Sequence, residues 1–183
     1  MNKMGEVSVI FSYLVFFNVV LSYGMETAFF RFYNSEDKKE KVINTSMISL
    51  LTSTLLFFGI SIFFKDDIAN WSNKNVDYIF YTILILTLDA LVIIPFSKLR
   101  AEGRPIKYAV IKIGNVVINL SLSVFFLVFL PKWAQNSSLL EGIYFENFQI
   151  GYIFVSNVIA SLFTLLMLLP DYFKLKWQFD VSK

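Results

Sequence analysis

Four charged side chains stand inside or at the edge of stretches that otherwise carry no charge: Glu26, Arg31, Asp89 and Lys112. Such a group in a hydrocarbon environment is costly unless it faces protein, water or a headgroup, so each is either an anchor or part of a polar pathway. Glu26 and Arg31 are five residues apart, which on a helix turns them about 140° away from each other, so neither satisfies the other. Snorkelling of Arg31 to phosphate headgroups and local capping or pairing of Glu26 is the alternative to a shared pathway. Asp89 lies eleven residues past Tyr78, about 16 Å along a helix, near the middle of a hydrocarbon core. Lys112 is as far from the intervening loop near Arg100 as Asp89 is, so an antiparallel hairpin sets the two level. They are either a buried ion pair that orients two helices or a charged pair lining a water-filled cavity for an anionic substrate or a coupling ion. Asn115 and Asn119 follow Lys112 at three and seven residues, on the same helical face. A stripe of one amine and two amides suits sugar hydroxyls and phosphate oxygens, and it equally suits stitching one helix to another.

The elements that must position these groups follow from composition. The chain is 56% hydrophobic and 18% aromatic, with 21 Phe and 16% charged residues, against about 25% charged in soluble domains. A span needs about 20 largely apolar residues. Five stretches meet that requirement, at about 7–31, 42–64, 78–97, 106–130 and 148–170. The prediction is an all-α, polytopic transmembrane helix bundle of about five helices, forming a single transmembrane domain over 1–183.

Chemistries are also excluded. With no Cys and no His there is no thiolate nucleophile, imidazole base, disulfide or Cys/His zinc site. No GxxxxGK[ST] phosphate loop occurs, so no site for ATP hydrolysis is visible. A net charge of +2 is too small for nucleic acid binding. No metal and no cofactor are expected.

Orientation follows from the basic residues. Loops after the first, third and fifth spans hold Arg31, Lys38, Lys39, Lys41, Lys98, Arg100, Arg104, Lys107, Lys174, Lys176 and Lys183; the other side holds Lys3, Lys65, Lys74 and Lys132, so the bias is eleven against four. The first set is therefore expected on the cytoplasmic side, with the N-terminus outside. An N-terminus outside with no leader to carry it leads to the expectation of an additional span ahead of Val7. Lys98, Arg100, Arg104 and Lys107 suit anionic lipid headgroups and, by the same chemistry, a pyrophosphate.

The stretch Tyr23-Gly24-Met25-Glu26-Thr27-Ala28-Phe29-Phe30-Arg31-Phe32 resembles the end of the second transmembrane helix of bacterial lipopolysaccharide and polysaccharide (O-antigen type) biosynthesis flippases, of the multidrug/oligosaccharidyl-lipid/polysaccharide exporter superfamily. Lys98 to Lys112, with Glu102-Gly103-Arg104, is similar to the basic loop after that family's fourth helix. The resemblance implies a two-lobed exporter of which this chain is one lobe less a helix. It further implies a non-enzymatic, multi-pass protein of the bacterial inner membrane that moves a polyprenyl-pyrophosphate-linked oligosaccharide by alternating access. Arg31 and Lys112 would then bind phosphate, Glu26 and Asp89 would balance those charges or couple a cation, and Asn115 and Asn119 would meet sugars. Membrane lipids and glycan-assembly proteins are the other implied partners. A cation-coupled drug antiporter of the same superfamily is the alternative within transport; a glycan-assembly enzyme or a non-transporting scaffold is the alternative outside it.

The remaining polar residues read as structural. Asn18 and Ser22 are expected to bond to a neighbouring helix or to their own backbone. Ser46, Ser49 and Ser53 share one face of the second span, which indicates close packing, with a cavity lining as the alternative. Trp71 and Trp133 are expected at the membrane interface, and Asn136-Ser137-Ser138 matches a glycosylation acceptor pattern.

Overall fold

A computed structural model describes residues 3–22, 24–134, 144–145 and 148–174, and the side chains at 3–8, 10 and 11 are likewise outside the description. Tyr23, the Asn136-Ser137-Ser138 tripeptide, Lys176 and Lys183 therefore lie outside the described residues. The described chain is all helix: α1 (Lys3–Ser22), α2 (Met25–Ser35), α3 (Lys39–Phe63), α4 (Lys65–Ser72), α5 (Val76–Leu91), α6 (Ile93–Ala101), α7 (Pro105–Val124), a π-helical turn (Phe125–Phe129), α8 (Leu130–Ala134) and α9 (Gln149–Phe173). Five segments are long and apolar enough to cross a membrane, namely Ser12–Ser35, Lys39–Phe63, Val76–Ala101, Pro105–Ala134 and Gln149–Phe173. The protein is thus an all-α membrane protein, as its composition dictates.

Two of the five spans are broken, and the sequence explains both breaks. Between α1 and α2, Gly24 has φ +72°, a left-handed conformation that glycine takes without a Cβ penalty. The third span breaks at Val92, three residues before Pro95. Proline lacks the N–H that would bond the carbonyl four residues back, and its ring presses on that carbonyl. The carbonyl in question is that of Leu91, and the hydroxyl of Tyr172 on α9 donates to it. Backbone groups in a membrane must be satisfied within the protein, so Tyr172 repairs the break from a different span. Tyr172→Phe is expected to lower stability by about 1–2 kcal/mol, the cost of orphaning a buried acceptor; denaturant unfolding followed by circular dichroism measures it.

Of the five spans the fourth is the least enclosed and the third the most. It runs through the middle of the bundle, and α1, α3 and α9 pack on α5 while α2 and α7 pack on α6. Near the ends of the spans that carry α4, Ile79 and Ile83 meet Ala69, and Leu14, Ile85 and Leu86 meet Ile150 and Phe154. Toward the basic end, Phe29 and Tyr33 of α2 meet Met47, Leu50 and Ile94, and Val92, Phe96 and Leu99 meet Ile111 and Leu168. The α6–α7 turn closes with Gly103 at φ +68° and with the Arg104 N–H bonded to the Leu99 carbonyl at 2.9 Å, a Schellman ending. Pro105 then starts α7, where its missing donor has no intrahelical role.

The fourth span shows most of one face to the outside: Ile106, Val110, Ile113, Val117, Leu120 and Val124 are exposed at alternating four- and three-residue spacing. That apolar stripe fits lipid tails. Trp71 and Trp133 are both exposed. Ser53 bonds back to the Leu50 carbonyl at 3.1 Å, and the serines at 46, 49 and 53 do not line the cavity described below.

Candidate functional site

A cavity of about 230 Å³ opens where the breaks in the first and third spans face α7 and α9. Each wall comes from a definable piece of sequence. Helix α7 contributes Tyr108, Lys112 and Asn115, and α9 contributes Asn157, Ser161 and Thr164; both sets have i, i+4, i+7 spacing, which gathers them on one face. The third span supplies Asp89 before its break, Val92 at it, and Ile93, Phe96 and Arg100 beyond it, while the first span supplies Asn18 and Glu26. The charged lining is two carboxylates and two cations, so its formal sum is zero.

Those groups are not joined simply as opposite neighbours. The Ser161 hydroxyl donates to Asp89 Oδ1 at 2.7 Å, tying α5 to α9. Lys112 places its ammonium 4.7 Å from the centre of the Phe96 ring, a cation–π contact, rather than on a carboxylate. Arg100 is paired to Glu26, Nη2 to Oε1, at 2.5 Å, and its guanidinium carbon lies 5.2 Å from the Phe30 ring and 5.3 Å from the Tyr108 ring. Asn115 donates to Thr164 Oγ1 at 2.9 Å, and that hydroxyl donates in turn to the Ala160 carbonyl at 3.0 Å. Asn115 thus lines the cavity and stitches α7 to α9 at once. Close approach of these two helices is permitted by Gly114, whose missing Cβ would stand 3.2 Å from the Phe163 ring.

Of the six residues expected to bind substrate, four surround the cavity: Glu26, Asp89, Lys112 and Asn115. Arg31 is on the exposed side of α2 and outside the lining, as the angle between positions 26 and 31 requires once Glu26 faces inward. Asn119 is also outside it, and accepts a hydrogen bond from Ser123 at 3.3 Å on its own helix. Among the residues expected to meet headgroups, Arg100 enters the cavity. Lys98 turns to Asp171 at 2.7 Å, locking α6 to the end of α9 next to the Tyr172 repair. Arg104 lies 3.7 Å from Glu102, and Lys107 is exposed.

Five further polar residues line the cavity: Tyr108, Asn157, Ser161 and Thr164, together with Asn18, which was expected to bond to a neighbouring helix or to its own backbone. Tyr108 lies one turn before Lys112. Asn157, Ser161 and Thr164 form the same periodic stripe on α9 that Lys112 and Asn115 form on α7. Asn18 lines the cavity, whereas its neighbour Ser22 bonds to the Val19 carbonyl at 2.8 Å as its type predicts. No group of three or more His, Cys, Asp or Glu among the described residues could hold a metal ion. No family model matches this chain, and neither a curated protein nor a solved structure matches it.

Proposed function

We propose that this chain forms one lobe of a flippase that passes a polyprenyl-diphosphate-linked oligosaccharide across the bacterial inner membrane by alternating access. The observation that carries this reading is the polar cavity itself: four charged groups with amides and hydroxyls beside them, built between spans whose outer faces are apolar. Intramembrane charge on that scale marks a substrate or ion pathway by default. The Lys112 ammonium rests on a ring rather than a carboxylate, so it is the cation a phosphate can engage without displacing an anion in contact with it. Asn18, Asn115 and Asn157 supply amides for sugar hydroxyls. The apolar stripe of α7 suits the polyprenyl tail, and the likeness of the Gly24–Phe32 stretch to the polysaccharide flippases points to the same cargo.

Asp89 and Glu26 in the same cavity favour a second reading, a cation-coupled antiporter of the same superfamily exporting an organic cation. Inactivating the encoding reading frame in the source organism separates the two. The flippase reading predicts loss of a surface glycan with accumulation of its lipid-linked precursor; unchanged surface glycan with raised drug sensitivity contradicts it.

A further inference from the structure

Along the axis of the bundle the cavity goes no further. On the side away from the basic loops, Leu14, Ile85, Leu86, Ile150 and Phe154 close over its floor as one buried layer. Rings cap that layer: Tyr78 stacks on Phe154 at 5.8 Å, Tyr81 and Tyr152 meet Phe148 edge-on at 6.2 and 5.3 Å, and Phe126 of the π-helical turn stacks on Tyr152 at 5.3 Å. The side between the first and fourth spans is different. Helix α1 packs on α3 and α5, and α7 on α6 and α9. On α7, Lys112, Val116, Asn119 and Ser123 follow at i, i+4, i+7 and i+11 and share a face, turned about 100° from the apolar stripe of Ile113, Val117, Leu120 and Val124. That face is open, because Lys112 is exposed and Val116 is 53% exposed. Among the described residues the polar groups beyond Lys112 bond only to each other, Ser123 Oγ donating to Asn119 Oδ1 at 3.3 Å. From Tyr108 to Ser123 this polar track runs about 22 Å, most of a hydrocarbon core of about 30 Å. An amine and amides at that depth are costly against lipid tails, so they face water or a polar cargo.

We infer that the cargo crosses along this open side, its headgroup passing from the cavity onto Asn119 and Ser123, and not along the bundle axis. This rests on the lipid-linked cargo proposed above. A side-open track suits such a cargo: the diphosphate and sugars follow the polar face of α7 while the polyprenyl tail stays in the bilayer, against the apolar stripe of the same helix. An axial route would strand the headgroup in an apolar layer, where its polar groups find no partner. The cavity, at about 230 Å³, is below the range of about 300–1,000 Å³ usual for drug-sized ligands. A bound disaccharide lipid therefore extends beyond it, and the track is the polar surface that continues from it.

The chain has no cysteine, so single-cysteine variants of the full chain in lipid nanodiscs test the route with a water-soluble maleimide. V116C, N119C and S123C are expected to react at least about tenfold faster than V117C and L120C, because a thiol in apolar surroundings stays protonated and unreactive. V158C, whose position packs against the axial layer, should be as slow as the lipid-facing pair. A polyprenyl diphosphate disaccharide should then slow V116C and N119C together with the cavity variant N157C, and leave D66C on the exposed side of α4 unchanged. Val116 is exposed, so V116C decides even if N119C does not fold. If the lipid protects N157C while the track cysteines react no faster than V117C, or react and are not protected, the inference falls and the cavity reading stands. Protection of V158C without protection of the track puts the cargo on the axis and overturns it. If the lipid protects none of them, both fall.

Discussion

Lys112→Gln is expected to weaken binding of a polyprenyl diphosphate about 10- to 100-fold, the loss of a charge-assisted contact, without changing the fold. Lys112 is exposed on α7 and touches the Phe96 ring, so its removal opens no core volume and breaks no ion pair among the described residues. Lys112→Arg keeps the charge and the ring contact, and should retain most of the affinity. Binding of a radiolabelled polyprenyl diphosphate in lipid nanodiscs, with helix content checked by circular dichroism, measures both. Equal affinity in wild type and Lys112→Gln would remove the ammonium from the site.

Asp89 separates a charge from a hydrogen-bond acceptor. Asp89→Asn keeps an oxygen for the Ser161 hydroxyl, which now donates to Oδ1 at 2.7 Å, and should cost no more than about 1 kcal/mol. Asp89→Ala removes the same charge and the acceptor as well, and so leaves the buried Ser161 hydroxyl without its partner. The expected loss is about 1–3 kcal/mol beyond that of the Asn variant, the cost of a buried polar group left unsatisfied. Unfolding in denaturant orders the three proteins as wild type, Asn, Ala. An Ala variant as stable as the Asn variant would mean that the α5–α9 tie contributes nothing.

The fold was legible to the degree that hydrophobic length decides it. Five apolar stretches gave five spans, because in lipid a helix satisfies its own backbone and little else can. The breaks were less visible. Pro95 signals one, but the partner that repairs it, Tyr172, lies 81 residues away in sequence, and no local pattern announces such a pairing. Gly24 stands within the stretch that carries the family resemblance, and a glycine in a sequence does not disclose its φ.

The site was half legible for a similar reason. Helical periodicity correctly grouped Lys112 with Asn115, and it also put Asn119 on that face, yet the lining stops short of Asn119. Periodicity fixes a face, whereas the depth at which a neighbouring helix ends the cavity is a tertiary fact. Arg100 reads as a loop cation from its position beside Lys98 and Arg104, and only the placement of α2 brings Glu26 to it. The polar residues of α9 share one face in the sequence, and their common role follows only from the packing of α9 on both α5 and α7.

On the proposed function, a diphosphate-linked glycan enters the cavity and not the lipid-facing surface. Photo-crosslinking tests it most directly: a polyprenyl diphosphate disaccharide with a photoreactive group on the sugar is bound to the chain, irradiated, and the attachment sites are mapped by mass spectrometry. Attachment at Tyr108, Asn115 or Asn157, reduced by excess pyrophosphate, is the predicted result. Attachment confined to the outer face of α7, at residues such as Val117 and Leu120, and indifferent to pyrophosphate would contradict it.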